Sequence, residues 1–321
     1  MRIIVLTNNW PTVEDPWVTP GLRDQVEALR GQGIEIDLWI IRHGKPLSYL
    51  RYFLKCCLLN FKPSRYDLMH AYYGHSGLFA LFQRKYPLLI TFLGSDLMTP
   101  PTSKRYYNTI IGRIAVRFAH SVIVMTEEMK IASGRDDAIV IPFGVNSKIF
   151  FPVARKEARR QLGISEDEKI ILFPWNPARQ VKRFDLAEKA IEIVRQSGFP
   201  VRLYPVFNEQ RDKLALLMNA ADVMVMLSDH EGSPVAVREA LACDLPIVSV
   251  DAGDVWQLIS DVQNCYCCQR EPADIAAKIQ MVLLSGQRSD GHKKTATMDV
   301  AWSAHQVMDV YQKIINRVEL I

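Results

Sequence analysis

The stretch "DVMVMLSDHEGSPVAVREALACDLPIVSV", residues 222–250, decides the fold. An apolar run, a helical segment and a second apolar run follow one another, the pattern of a strand, a helix and a parallel strand. The same alternation continues in both directions, with six strand patterns before residues 144–168 and five after them. Because these runs are apolar throughout, we expect parallel sheets covered by helices on both faces. The sequence therefore predicts an α/β, doubly wound architecture.

A turn, a proline and a charged helix interrupt the alternation at residues 144–168. Each side of this interruption holds enough elements for one Rossmann-like domain. We predict an N-terminal domain over residues 1–150 and a second domain over residues 151–304. The last helix, residues 305–321, is expected to pack back on the first domain.

Composition excludes several classes of protein. The net charge of the 321 residues is +4, too small to indicate a nucleic-acid binder. No apolar run approaches the ~18 residues of a membrane span, and the apolar run after Met1 is shorter than a signal peptide requires. The six cysteines are adjacent or next but one to each other, a spacing that fits neither a disulfide framework nor a zinc knuckle. We expect a reduced, cytoplasmic protein.

The opening stretch also predicts an anion site. Ser233 is a preferred N-cap and Pro234 suits the first helical position, so we expect a helix to begin there. The first free amides, those of Val235 and Ala236, would then point out from the carboxyl ends of the strands, where such sheets bind ligands. A helix start of this kind favours phosphate or pyrophosphate.

Two glutamates, Glu231 and Glu239, bracket that helix start. Carboxylates are good acceptors for paired sugar hydroxyls, so a sugar nucleotide would satisfy both the amides and the acids. The alternative is that both are ordinary exposed acids. The sequence has no G-x-G-x-x-G or Walker A pattern and no D-x-D pair, so we expect neither a dinucleotide cofactor nor a metal.

Further motifs surround these acids in a fixed order: "MHAYYGHSGLFAL", "TFLGSDL", "VIPFGVNSKIFFP" and "NAADVMVMLS". With the E-x7-E spacing of Glu231 and Glu239, the chain resembles family 4 glycosyltransferases, and most of all the branch that builds bacterial surface polysaccharides. The resemblance covers almost the whole chain. It implies the GT-B fold, in which an acceptor-binding and a nucleotide-sugar-binding Rossmann-like domain face a central cleft.

The resemblance also implies roles for residues. The phosphate-binding cations of the family fall in "NPARQVKRFD", where Arg179 and Lys182 would stabilise the leaving diphosphate, and Arg183 stands where a glycine is common. Glu231 would position hydroxyls of the donor sugar, and Glu239 would hold the ribose. The implied reaction retains the α configuration, with the acceptor attacking from the front face and the leaving phosphate taking its proton.

Four positions of the first half are also relevant to the predicted site. Gly21 allows close backbone approach to the donor phosphate, or it serves as a helix residue. Asp96 is a candidate for bonding the acceptor or assisting proton removal, or it caps the following segment. His75 is the better acceptor-side histidine, although such a residue is more often structural. Leu93 replaces a histidine that the family commonly has near the donor sugar.

The expected donor is a UDP-sugar rather than a GDP-sugar, and the expected acceptor is a glycan or a polyprenyl-diphosphate-linked glycan. Between Asp37 and Asp67, and again between Asp96 and Glu127, basic residues alternate with apolar ones and no acid occurs. Basic amphipathic helices of this kind bind anionic membranes, here the inner face of the cytoplasmic membrane. The alternative is ordinary helices with a solvated basic face.

Two other functions stay open. A sugar-nucleotide epimerase or hydrolase would use the same nucleotide-binding half and would release or convert the sugar without an acceptor. A non-catalytic partner subunit is the other alternative, motivated by Leu93 and by a short chain for this fold. Intact Glu231, Glu239 and Lys182 argue against loss of activity.

Overall fold

The computed structural model describes residues 1–12, 18–42, 45–63 and 65–319. Its strands form two parallel sheets, as predicted. The first sheet has the order β2-β1-β3-β4-β5-β6, with β1 (Arg2–Thr7), β2 (Glu35–Ile40), β3 (Leu68–Tyr72), β4 (Leu88–Thr91), β5 (Ser121–Val124) and β6 (Ile139–Val140). The second has the order β11-β10-β9-β7-β8, with β7 (Lys169–Phe173), β8 (Val201–Pro205), β9 (Val223–Met226), β10 (Ile247–Val250) and β11 (Tyr266–Cys268).

Helices connect the strands in the alternation that the sequence predicts. Those of the first half are α1 (Pro20–Gly31), α2 (Pro46–Leu59), α3 (Gly74–Ala80), α4 (Tyr107–Phe118) and α5 (Glu127–Ser133). Those that follow are α6 (Arg155–Leu162), α7 (Phe184–Gln196), α8 (Arg211–Ala220), α9 (Val235–Ala242), α10 (Val255–Ile259), α11 (Pro272–Ser285), α12 (Gly291–Thr295) and α13 (Val300–Glu319). The central strands β3, β4, β9 and β10 are buried at every residue, because helices cover both faces of each sheet.

The chain divides into two units. The first takes the described residues up to Phe143 together with the segment from Val300 onward, and the second takes Gly144–Asp299. The first unit therefore ends before the predicted residue 150, and the C-terminal helix begins at Val300 rather than at residue 305. Of that predicted helix, residues 320 and 321 lie outside the described part.

Helix α13 packs against α1 within the first unit. A buried hydrogen-bond network fixes it there: His70 bonds Tyr311 at 2.8 Å and Thr91 at 2.7 Å, and Gln25 donates to Ser303 at 2.7 Å. Burial lowers the pKa of His70 to about 3, so this ring is neutral at physiological pH. His70 thus holds the last helix on the first sheet.

Candidate active site

The second sheet has a switch point between β7 and β9. The chain steps from β7 to β8 on one side of β7, and later from β9 to β10 on the other side. Connections that leave neighbouring strands in opposite directions open a crevice at their carboxyl ends, where such sheets bind ligands. Lys182 lies in the connection after β7, and Glu231 lies in the connection after β9.

Lys182 and Glu231 are brought together at this point. The Lys182 ammonium donates to Oε1 of Glu231 and lies 4.7 Å from the centre of the Trp175 ring. Only 7% of the Lys182 side chain and 15% of the Glu231 side chain are exposed. Burial lowers the pKa of Lys182, while the attraction of Glu231 opposes that change. The two predicted site residues therefore form one shielded ion pair.

A tight turn positions Lys182 at the crevice between β7 and β9. Residues 180–182 form a single 3-10 turn, and Arg183 after it has a left-handed backbone with φ of 55°. Its guanidinium bonds Asp185 at 3.0 Å and Asp229 at 3.1 Å, which ties the turn to the loop after β9. Glycine adopts a left-handed backbone without steric cost, which explains physically why glycine suits the position that Arg183 occupies.

Arg179 lies at the other end of that turn and is exposed. Its charge contributes to lowering the pKa of Lys182, so the two cations are near enough to act on one anion. The two predicted cations differ in their surroundings. Lys182 is buried and ion-paired, whereas Arg179 is presented to solvent.

Glu239 is a buried carboxylate of the same region, with 4% of the residue exposed. It accepts a hydrogen bond from Arg211 at 2.9 Å, and the Arg211 guanidinium lies 5.1 Å from the centre of the Phe150 ring. Arg211 is the first residue of α8, which follows β8. Sequence reasoning missed Arg211, and its only signal was its place just after a strand of the same sheet.

The helix after β9 starts one residue later than predicted. Pro234 is the N-cap of α9 and Val235 is its first residue, so the predicted cap at Ser233 was wrong. Ser233 instead donates to Asp254 at 3.1 Å and accepts a hydrogen bond from Arg238. Arg238, of which 2% is exposed, also pairs with Asp254. Because its hydroxyl is held by these side chains, Ser233 fixes the loop rather than capping the helix.

The amides of Val235 and Ala236 belong to the first turn of α9, where helix geometry provides no carbonyl four residues earlier within the helix. The loop before them packs tightly on the loop after β10. A Cβ atom at Gly253, where φ is +66°, would lie 2.1 Å from the Gly232 carbonyl oxygen. Glycine is therefore required at residue 253. Its close contact with Gly232 packs the loop that carries Glu231 against the loop after β10.

Asp96 of the first unit is fully buried. Its carboxylate accepts hydrogen bonds from the amides of Leu93 at 3.0 Å, Gly94 at 2.9 Å and Gly74 at 3.0 Å. Burial raises its pKa to about 6, although these amides oppose the change. Such an arrangement favours the capping alternative, in which Asp96 fixes the loop after β4 and the start of α3. A catalytic role of Asp96 stays a prediction.

Gly21 lies inside α1 and is buried. A Cβ atom there would be 2.9 Å from Cβ of Phe143, so glycine permits close packing of these two segments. This contact favours the helix-residue alternative over backbone approach to a ligand. Residues 13–17 of the loop before it lie outside the described part.

His75 borders a cavity of about 400 Å³ in the first unit. Its ring stacks on Tyr73, with centroids 5.6 Å apart, and meets Tyr107 edge-on at 5.9 Å. The cavity is lined by Asn8, Tyr49, Tyr73, His75, Arg105, Tyr107 and Asn108. Aromatic rings, amides and one guanidinium suit a polar ring such as a sugar. The residue predicted to lie on the acceptor side, His75, thus borders a cavity. The sequence analysis did not identify the tyrosines that line this cavity.

Among the residues that the structure describes, no three His, Cys, Asp or Glu side chains are grouped as metal ligands would be. Within the same residues, no helix is long and apolar enough to span a membrane.

Comparison with known proteins points to one family. Residues 202–297 match the family described as "Glycosyl transferases group 1". The chain is 28% identical over 225 residues to a putative teichuronic acid biosynthesis glycosyltransferase, TuaC, from Bacillus subtilis, covering 62% of this chain and 56% of TuaC. It is 23% identical to N-acetyl-alpha-D-glucosaminyl L-malate synthase from Bacillus anthracis, covering 70% of this chain and 64% of that enzyme. The aligned parts are thus less than two thirds of these relatives.

Solved structures agree on the fold. Sucrose-phosphate synthase from Thermosynechococcus elongatus superposes with a TM-score of 0.79 at 19% identity, covering 99% of this chain and 100% of the other. Anabaena HepE in complex with UDP-glucose superposes with a TM-score of 0.70 at 17% identity, covering 98% and 100%. The part of the chain that holds Glu231, Glu239 and Arg211 thus matches the group 1 glycosyltransferases, and the chain has the GT-B fold.

Proposed function

We propose that this chain is a retaining glycosyltransferase that moves a sugar from a nucleotide-diphosphate sugar to a glycan or lipid-linked glycan in surface polysaccharide synthesis. One observation carries the proposal. The two glutamates of the E-x7-E pattern lie at one end of a single sheet, each held by a cation from a neighbouring connection: Glu231 by Lys182, and Glu239 by Arg211. Held carboxylates are preorganised to accept hydroxyl groups, because their rotamers are already fixed.

Lys182 has two tasks in this proposal. Before the donor binds, it neutralises Glu231 in a nearly buried place. When the bond between sugar and phosphate breaks, negative charge grows on the leaving diphosphate, and the same ammonium and Arg179 stabilise that charge. An ammonium has three N–H donors, so Lys182 can bond Glu231 and a phosphate oxygen together.

Glu231 and Glu239 then bind different parts of the donor. Lys182 occupies Oε1 of Glu231, and the remaining lone pairs accept hydroxyls of the transferred sugar. Glu239, held by Arg211, accepts the ribose hydroxyls. The acceptor hydroxyl attacks the anomeric carbon from the face of the leaving group, and the leaving phosphate oxygen takes its proton. Each atom and charge is accounted for without a metal ion.

The finer parts of the proposal have separate support. A UDP-sugar donor is supported by Anabaena HepE, whose structures were solved with UDP and with UDP-glucose. A role in surface polysaccharide synthesis is supported by TuaC, named for teichuronic acid biosynthesis. We assign the acceptor to the cavity of the first unit beside His75, and we place the protein at the inner face of the cytoplasmic membrane.

Donor binding is the direct test. We expect a calorimetric titration of the full chain with UDP-, GDP-, ADP- and CMP-sugars to show the tightest binding for a UDP-sugar. Lys182→Met should weaken that binding about tenfold or more, because it removes a charge-assisted contact to the diphosphate. Lys189→Met is the matched control, since Lys189 is an exposed lysine on α7 of the same unit.

Reaction products separate the alternatives. Sugar transferred to a glycan acceptor, with no free sugar formed in its absence, supports transfer. Free or epimerised sugar released without an acceptor would establish the hydrolase or epimerase instead. Equal donor binding by the parent, Lys182→Met and Lys189→Met would overturn the site itself.

A further inference from the structure

Helix α2 turns large apolar side chains toward solvent. Leu47 is 80% exposed, Leu50 53%, Leu54 49% and Leu58 52%, and Phe61 just after the helix is 85% exposed. Spacings of three and four residues place the four leucines on one face. The opposite face is also apolar, since Cys56 and Leu59 are buried against the unit. Apolar side chains therefore lie on two faces of this helix, and a contiguous exposed apolar stripe marks an interaction surface.

Helix α4 repeats this arrangement. Tyr107 is 54% exposed, Ile110 49%, Ile114 44% and Phe118 62%, again at spacings of three and four residues. The buried side of α4 includes Ala115. An ordinary amphipathic helix would place its apolar stripe inward and its charges outward, so the solvated-face alternative does not describe α2 or α4.

The two stripes belong to one surface. Connections from β2 to β3, from β3 to β4 and from β4 to β5 all step in the same direction along the first sheet, which places α2, α3 and α4 on one face. Helix α3 contacts both neighbours, and Phe53 of α2 meets Phe82 after α3 with ring centroids 4.6 Å apart. Phe82 and Phe118 line a cavity of about 660 Å³ together with Leu78, Leu81 and Leu88. We call this the α2–α4 face.

The charge of this region has one sign. Residues 38–126 contain only two acids, Asp67 and Asp96, and Asp96 is buried against backbone amides. The same residues contain twelve basic side chains, of which all but Lys55 are exposed: Arg42, Lys45, Arg51, Lys55, Lys62, Arg65, Arg84, Lys85, Lys104, Arg105, Arg113 and Arg117. The partner of the α2–α4 face must therefore be apolar at its centre and anionic around it.

We infer that the α2–α4 face inserts its leucine and isoleucine stripes into the surface of an anionic lipid bilayer. The apolar side chains enter the acyl boundary while the surrounding lysines and arginines bind lipid phosphates. A second copy of the chain fits poorly, because two faces of the same positive sign repel one another. This inference specifies the proposed membrane association, yet it is independent of the transfer reaction.

Vesicle flotation of the full chain tests it. We expect binding to vesicles of equal parts phosphatidylglycerol and phosphatidylcholine, and at least tenfold weaker binding to phosphatidylcholine alone. The double variant Leu50→Ser/Leu54→Ser should lower the partition coefficient for the anionic vesicles about tenfold or more. Ile110→Ser/Ile114→Ser should act in the same direction. Leu284→Ser is the matched control, a leucine 74% exposed on α11 of the second unit.

Salt distinguishes the electrostatic contribution to vesicle binding from the contribution of apolar insertion. Insertion predicts that part of the parent's binding survives 0.5 M salt, where surface electrostatics are screened to roughly 4 Å, and that the serine variants lose this remainder. Equal flotation of the parent, both serine variants and the Leu284→Ser control would overturn the inference. A sedimentation experiment showing a dimer that the serine variants dissolve would also overturn it. Unchanged donor binding by the serine variants shows that they fold, so failure here leaves the proposed reaction untouched.

Discussion

The two units hold their buried and partly buried carboxylates in different ways. In the second unit, side-chain cations do it: Lys182 for Glu231, Arg211 for Glu239 and Arg238 for Asp254. In the first unit, Asp96 is held by three backbone amides. A side-chain pair can open and share its cation with a ligand, whereas amides fixed in a loop cannot. The difference suggests a working site in the second unit and a structural carboxylate in the first.

Asp96 provides the largest test of this contrast. Its pKa of about 6 in the folded protein lies above the unfolded value of 3.8, so its stabilising contribution is complete below pH 3.8 and is lost as the pH rises through 6. The difference corresponds to about 3 kcal/mol. We expect the stability advantage of the parent over Asp96→Asn, measured by urea unfolding, to shrink by about this amount between pH 4 and pH 7.

Asp136→Asn is the control, because Asp136 is an exposed acid of the same unit. It should differ from the parent by a nearly constant amount over the same range. If the advantage of the parent over Asp96→Asn grows with pH instead, the three amides stabilise the ionised carboxylate by more than its burial costs.

The two glutamates of the second unit should differ in their kinetic effects. Glu231 orients the sugar while positive charge develops on the anomeric carbon, so Glu231→Gln should lower kcat about 10²-fold, or about 2.7 kcal/mol, and change the donor KM little. Glu239→Gln should mainly raise the donor KM, because the ribose contact is made equally before and during the reaction. Steady-state rates with a UDP-sugar measure both.

Glu188→Gln, at an exposed position of α7, serves as the charge-matched control. Equal increases in KM for both site variants with kcat intact would make Glu231 a binding residue only.

Arg211 should act through Glu239 rather than on the donor. Arg211→Lys keeps the charge but replaces a planar guanidinium by a point charge, so Glu239 loses its fixed orientation. We expect the donor KM to rise about fivefold to tenfold while kcat is retained, in line with the loss of about one hydrogen bond. Lys213→Arg makes the reverse exchange at an exposed site on the same helix. A lower kcat at unchanged KM would assign Arg211 to the reaction itself.

The smallest expected effect is that of metal removal, which should leave the transfer rate unchanged. Because Lys182 and Arg179 stabilise the leaving diphosphate in the proposed mechanism, transfer should continue unchanged in EDTA. Added Mg²⁺ or Mn²⁺ should change the rate less than twofold. Activity that disappears in EDTA and returns with either metal would contradict this part of the proposal.

Much of this molecule follows from its sequence. Two parallel sheets with six and five strands were predictable, because most of the strands are short apolar runs that alternate with helical patterns. Glu231 was found as a candidate because it brackets a predicted helix start with Glu239, and Lys182 because the resemblance to family 4 glycosyltransferases implies it. Their direct pairing was not found, since no local pattern relates residues 49 positions apart.

The errors have physical causes as well. Ser233 has the residue type of a cap, but the predicted cap was overridden by tertiary hydrogen bonds to Arg238 and Asp254. The basic charge of α2 and α4 was legible in the sequence, but the direction of their apolar stripes was not. Composition reports which residues a helix has, and only the packing of α3 against both neighbours shows which of them remain uncovered.

The return of α13 to the first unit has a consequence during synthesis. The first unit is built from both ends of the chain, so its six strands leave the ribosome long before the helix that carries Tyr311. At roughly 5–20 residues per second, translating the intervening unit takes on the order of ten seconds or more. Throughout that interval α13 does not yet cover its face of the first unit. The hydrogen bonds of His70 with Tyr311 and of Gln25 with Ser303 cannot yet form. The second unit, although it begins later in the chain, therefore has all of its residues before the first unit does.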